Sequence, residues 1–216
     1  MLALRTFLLT ITVSCALVCS TSLGRDPDRV IDVWPGLAPG ETTSHAGDIM
    51  PPRENETPPA TRITNITSPQ LEIYDPNPAE RNGAVVLILP GGAYNYVVRD
   101  KEGSEAAEWL NRLRITGCVL RYRTKDGSNH PLWQRPVQDG QRAVSLVRSR
   151  AADWQLDPNK IGVLGFSAGG QAAALIATRF HLRAYEAGDE IDSTSCRPDF
   201  ALLLYPWQLV DNETGA

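Results

Sequence analysis

Six consecutive residues, Ala84 to Leu89, carry no polar side-chain atom, and a strand of that kind needs cover on both faces. Downstream of that run, helical and strand patterns alternate. The stretch Lys101 to Leu113 has helical spacing in Ala106, Trp109, Leu110 and Leu113, and Thr116 to Tyr122 reads as the next strand. Pro136 to Ala152, with Val137, Ala143, Val144 and Val147 on one side, predicts a surface helix over a sheet. Ile161 to Leu164 is a short strand, Ala168 to Phe180 a helix, and Phe200 to Leu204 a further strand. Such alternation implies an α/β fold: a mostly parallel sheet with helices on both faces and right-handed crossovers. Ligands then bind beyond the carboxyl ends of the strands, where three loops are expected to meet: Pro90 to Val98, Arg123 to Arg135 and Gly165 to Gly170.

The rest of the chain sets boundaries. Its 216 residues, 42% hydrophobic and 21% charged, suffice for one domain with a sizeable core. A net charge of −4 offers no basic stripe for nucleic acid, which is not expected as a partner. Arg5 followed by the apolar stretch Phe7 to Val18 reads as a signal peptide over residues 1–22, so the protein is expected to be exported, periplasmic or secreted. The stretch is shorter than the ~20 apolar residues of a membrane span, and no stable insertion of the mature chain is expected. Cys15 or Cys19 as a lipid attachment point is a lesser alternative. Residues 23–69 form a Pro-rich extension, read as extended loop, and residues 70–216 the folded unit. Within that unit Gln70 to Tyr74 is expected at a sheet edge with one face buried, from the alternation of Leu71 and Ile73. Cys118 and Cys196 are too few for a disulfide framework. No Cys/His spacing suggests a metal, no cofactor is implied, and the oligomeric state is not readable.

Chemistry enters at Gly165-Phe166-Ser167-Ala168-Gly169, which follows a strand directly and opens a helix. A G-x-S-x-G motif in that context is a nucleophile elbow: the turn is too sharp for side chains at the flanking glycines, and Ser167 is left strained with its hydroxyl exposed. The second element is Pro90-Gly91-Gly92-Ala93-Tyr94, at the end of the buried strand. There the N–H groups of Gly92 or Ala93, with that of Ala168 after the nucleophile, are expected to form an oxyanion hole, each donor contributing ~3 kcal/mol to the transition state.

These residues resemble the α/β-hydrolase esterases, in particular the secreted bacterial branch of acetylxylan-esterase and feruloyl-esterase-like proteins (BD-FAE-like). The likeness runs over about residues 70 to 210 and is carried by Leu89 to Tyr94, Glu102-Gly103, Ala107 to Leu110, Leu120 to Arg123, Gln138-Asp139, Arg142 to Val144, Val147-Arg148 and Ile161 to Gly170. Ala93 stands where that branch usually has a third glycine, and Gln171 where it commonly has histidine. The resemblance implies deacylation, acetyl or feruloyl, of plant or algal polysaccharide such as xylan, or of small esters.

A Ser, acid, His order along the chain is expected for such a triad, yet the stretch from Ala168 to Ala216 holds a single histidine, His181. Thirteen helical steps place it about 20 Å from the start of the helix, too far to act as base. His130 reads as a structural element of its loop and His45 as exposed, while Asp199 and Asp211 read as solvated acids. The chain is therefore expected to lack the last strands of the fold, with their acid and base, and to leave an apolar sheet edge uncovered. Two other readings stay open. One is a serine peptidase of the same fold, and the other a non-catalytic remnant.

Overall fold

The computed structural model describes residues 25–210; the leader expected over residues 1–22, with Cys15 and Cys19, lies outside them, as does Asp211. The element order begins with four strands, β1 (Arg29–Asp32), β2 (Asp48–Ile49), β3 (Arg62–Thr64) and β4 (Gln70–Tyr74). Then come β5 (Val85–Leu89), β6 (Val97–Val98), a π-helical turn Asp100–Ser104, α1 (Glu105–Arg112) and β7 (Thr116–Arg121). The chain continues through α2 (Gln134–Ser149), β8 (Ile161–Phe166), α3 (Ala168–Thr178) and β9 (Phe200–Leu204).

Six strands form the main sheet in the order β1-β4-β7-β5-β8-β9, the last four mutually parallel and β1 and β4 antiparallel to their neighbours. The unbroken apolar run is its centre. All five residues of β5 are buried, Val85, Leu87 and Leu89 against α2 and α3 on one face, Val86 and Ile88 against Ala107 and Leu110 of α1 on the other. Helices thus cover both faces, as the pattern implies.

Four expectations are corrected. β4 is not an edge strand: β1 pairs with it on one side and β7 on the other. Its Glu72 looks like a solvent-facing residue in the sequence but is 1% exposed, held by Arg99 at 2.9 Å and Arg121 at 3.1 Å. The Pro-rich stretch is not all loop, since it supplies β1 to the main sheet and β2 and β3 to a small antiparallel sheet with β6. And the buried face of α1 is Ala107 and Leu110, whereas Trp109 and Leu113 are about half exposed. The π-turn ahead of α1 adds a residue to the helical repeat, which rotates the face that meets the sheet.

α2 departs furthest from a surface helix. Every residue from Pro136 to Val147 is buried, because segments 33–41 and 182–194 close over its outer side. Each polar group there has a partner: Gln138 donates to Ala184 O at 2.9 Å, Gln141 to Leu182 O at 3.1 Å, Arg142 to Val33 O at 3.2 Å and Ser145 to Thr194 O at 2.9 Å. Asp139, fully buried, accepts from Trp34 Nε1, Arg123 N and Arg123 Nε, each at 2.9 Å.

β9 pairs with β8 alone among the described residues, and Phe200, Leu202, Leu203 and Leu204 are each more than a third exposed. Among the described residues nothing covers these apolar side chains.

Candidate active site

In the strand order β5 lies between β7 and β8, so the loops that leave β5 and β8 sit side by side at the carboxyl edge, at the point where the chain reverses direction across the sheet. Ser167 stands at that point with φ 51° and ψ −119°, between β8 and α3. The conformation is costly for a residue with a Cβ, on the order of 1–3 kcal/mol, and the surrounding backbone holds it. Ser167 N donates to Leu204 O at 3.1 Å, while Ser167 O accepts from Trp207 N at 3.0 Å and Gln171 N at 3.1 Å. The flanking glycines are dictated by contact: a Cβ on Gly165 would come within 2.2 Å of Gly169 O, and one on Gly169 within 2.1 Å of Leu89 O.

The loop after β5 is equally constrained. Gly92, Ala93 and Tyr94 all have positive φ, 142°, 50° and 60°, and almost every polar group around them is spent. Pro90 O accepts from the Tyr122 hydroxyl at 2.5 Å. Gly91 N donates to Glu102 Oε2 at 2.6 Å and Gly91 O accepts from Val98 N at 3.1 Å. Gly92 O accepts from Asn95 N at 2.9 Å, and Tyr94 O from Lys125 N at 2.8 Å. Among the described residues the N–H groups of Gly92 and Ala93 have no acceptor, nor has that of Ala168, the first residue of α3. Backbone donors left unspent in a tightly bonded loop are available to a ligand.

Tyr94, fully buried, ties the two loops together, its hydroxyl lying 2.8 Å from Ala168 O and 2.9 Å from Gln171 Oε1. Burial raises its phenol above the ordinary value and keeps it neutral. Gln171, in the position where histidine is common in the resembling branch, also donates to Gln208 O at 2.9 Å.

Ser167, Gly92 and Ala93 line one open pocket of about 370 Å³ together with Glu102 and Tyr205. Its outer wall is the surprise: Arg53, Glu56 and Arg62 come from the Pro-rich segment and join Tyr96 and Lys101 there. The three loops expected to converge are neighbours, Lys125 N reaching Tyr94 O, but only Pro90 to Val98 and Gly165 to Gly170 line the Ser167 pocket, while Arg123 to Arg135 encloses a separate cavity of about 210 Å³ that holds His130. Tyr94 and Tyr122, packed edge to face at 6.1 Å, fill the space between. The other histidines do not line the serine's pocket either. His45 is exposed beside Asp48 at 3.2 Å, and His181 lies past the end of α3 against Phe180. Asp199 is no free loop acid, for it accepts from Ile161 N at 2.9 Å and pairs with Arg148 at 3.1 Å, at the end of β8 opposite Ser167.

Within the wall, Glu56 receives both arms of Arg62 at 2.8 Å. Those bonds, with the Ala60 N–H, hold its carboxyl down at about 2 against an ordinary 4.5. A lowered folded-state value means the interaction stabilises above the ordinary range and is lost as pH falls through about 2. The melting-temperature difference between the native chain and Glu56→Gln is therefore expected to be constant above pH 4.5 and to shrink below it. A difference that does not change with acidification would refute this role for the pair.

Glu102 and Tyr205 are pocket residues that sequence reasoning did not single out. Glu102 Oε1 accepts from the Tyr205 hydroxyl at 2.7 Å, and the phenol is pushed up to about 12 by its partial burial and then by that carboxylate. The only signal for Glu102 was its place beside Gly103 in the resembling stretch.

The family model described as BD-FAE matches residues 71–199. The chain is similar to an acetylxylan esterase of Xylanibacter ruminicola, 33% identical over 129 residues, which are 60% of this chain and 24% of that protein. It is also similar to endo-1,4-beta-xylanase B of Butyrivibrio fibrisolvens, 32% identical over 56% of this chain and 19% of that one. Among solved structures, the acetyl ester-xyloside bifunctional hydrolase of Caldicellulosiruptor lactoaceticus superposes with a TM-score of 0.57 at 32% identity, over 77% of this chain and 59% of that one. The chain thus spans about a quarter or less of these curated relatives and under two thirds of the solved protein.

Proposed function

This chain belongs to the BD-FAE family, with the fold of an α/β-hydrolase, and from that premise we propose that it is a serine carboxylic ester hydrolase with Ser167 as its nucleophile. One observation carries the proposal: a serine on a strained elbow shares a pocket with backbone N–H groups that have no other acceptor. Ser167 Oγ attacks the acyl carbonyl, and the N–H groups of Gly92, Ala93 and Ala168 hold the resulting oxyanion. Collapse forms the acyl-serine and releases the alcohol, which takes up the serine proton, and water then frees the acid.

Acetylated xylan is the proposed substrate, on the strength of the names carried by its relatives; feruloyl esters come from the family resemblance alone. Export belongs to the same proposal and rests on the apolar leader Phe7 to Val18. Among the described residues no helix is long and apolar enough to cross a membrane.

A second reading, a non-catalytic binding module, is favoured by one fact. None of the three histidines lines the Ser167 pocket. A fluorophosphonate separates the two. Peptide mapping is expected to find the adduct on Ser167, and acetate is expected to be released from acetylated xylan. Folded chain that takes no adduct favours the binding module, and cleavage of prolyl peptides without acetate release favours a peptidase.

A further inference from the structure

The parts of the pocket are joined by one carboxylate, and we propose that Glu102 is a positioning residue that turns the unspent N–H groups of the Gly91 to Ala93 loop toward Ser167 and couples that loop to the turn after β9. The proposal rests on the reading of Ser167 as nucleophile.

Glu102 accepts at both oxygens, from Gly91 N at 2.6 Å and from the Tyr205 hydroxyl at 2.7 Å. Bonds to an ionised acceptor are short and about twice as strong as neutral ones. Spending the Gly91 N–H fixes the peptide plane that leads into the loop. The next two planes, with Gly91 O and Gly92 O bonded on the other side, then present their N–H groups to the pocket. Without that anchor the positive φ values of Ala93 and Tyr94 would be freer to relax, since an L-residue is more stable outside the left-handed region.

The approach to the serine is close. A Cβ on Gly91 would lie 2.7 Å from Glu102 Oε2 and 3.1 Å from Ser167 Cβ, so the carboxylate and the serine face each other across a residue with no side chain. Glu102 sits within the π-turn Asp100–Ser104, a rare element that tends to mark functional sites. The same turn anchors the outer wall, as Asp100 accepts from Thr61 N and Lys101 donates to Pro58 O, both at 2.7 Å. One short turn therefore sets three sides of the pocket.

The test uses the full chain with Glu102→Ala, Glu102→Gln and the milder Tyr205→Phe. Amide exchange at Gly91 to Ala93 and the rate of Ser167 phosphonylation are both read. In Glu102→Ala, exchange at Gly91 is expected to rise about tenfold or more, as for loss of a charge-assisted bond. Phosphonylation is expected to fall about tenfold to a hundredfold, as for a misplaced reacting group, with kcat lowered and KM kept. Glu102→Gln, which retains an oxygen for Gly91 N–H, recovers most of both, and Tyr205→Phe lies between. Unchanged exchange and phosphonylation in Glu102→Ala would overturn the proposal, as would a glutamine variant no better than alanine or a KM effect with kcat intact. If the native chain takes no phosphonate, the nucleophile reading falls, and exchange at Gly91 still decides whether Glu102 holds the loop.

Discussion

Ser167→Ala is expected to abolish the phosphonate adduct and the ester hydrolysis that passes through the serine, while leaving the fold in place. Among the described residues no histidine lines the pocket, and triad members act as a unit, so the fall in rate is expected to be well below that seen on removing the nucleophile of a complete triad. Serine and alanine share a Cβ, so the strain at φ 51° is the same in both. The serine side chain caps nothing in α3, and no partner is stranded by its removal. Stability measured by denaturant titration should move by no more than about 0.5 kcal/mol. A native chain that hydrolyses p-nitrophenyl acetate no faster than the variant would sink the catalytic proposal outright.

The second large effect is on stability. Asp139→Ala is expected to cost about 3–5 kcal/mol, the scale for breaking a buried ion pair by removing one partner. Asp139 and Arg123 are both 0% exposed at their side chains. Without the carboxylate the Arg123 guanidinium keeps Pro39 O at 2.7 Å, Gln138 Oε1 at 2.8 Å and the Glu41 carboxylate at 3.3 Å, but the Arg123 backbone N–H and the Trp34 indole N–H are left without their acceptor inside the core. Against a typical 5–15 kcal/mol for a domain, that loss should pull the urea midpoint down sharply, and Asp139→Asn should soften it. A midpoint shift worth under about 1 kcal/mol would mean that the buried pair contributes little.

This pair also marks where reading the sequence stops. The strands of the parallel sheet were legible because a β5 buried on both faces has no other way to be covered, and the elbow was legible because strand, motif and helix follow one another within a few residues. α2 was not. Gln138, Asp139, Gln141, Arg142 and Ser145 have the composition of a wet helix face, and what buries them are segments beginning more than 90 residues earlier and 30 later. β4 was placed at an edge for the same reason, its Glu72 being neutralised by Arg99 and Arg121 from elsewhere in the chain. In the pocket, Ser167, Gly92 and Ala93 follow from local motif, whereas Glu102 meets Tyr205 across 103 residues, a separation at which no short pattern survives. Polar residues that find their partners at long range are the common factor.

The hydrogen bonds that hold Ser167 carry one more implication, for the order in which the protein is made. Its amide reaches Leu204 and its carbonyl is met by Trp207, so the strained elbow is braced by residues translated some forty positions later. Domains begin to form as they emerge from the ribosome, amino-terminal parts first. Until the segment through Trp207 is out of the exit tunnel, nothing from that segment opposes relaxation of the serine. Ser167 therefore gains these two braces only once β9 and the turn through Trp207 have been made.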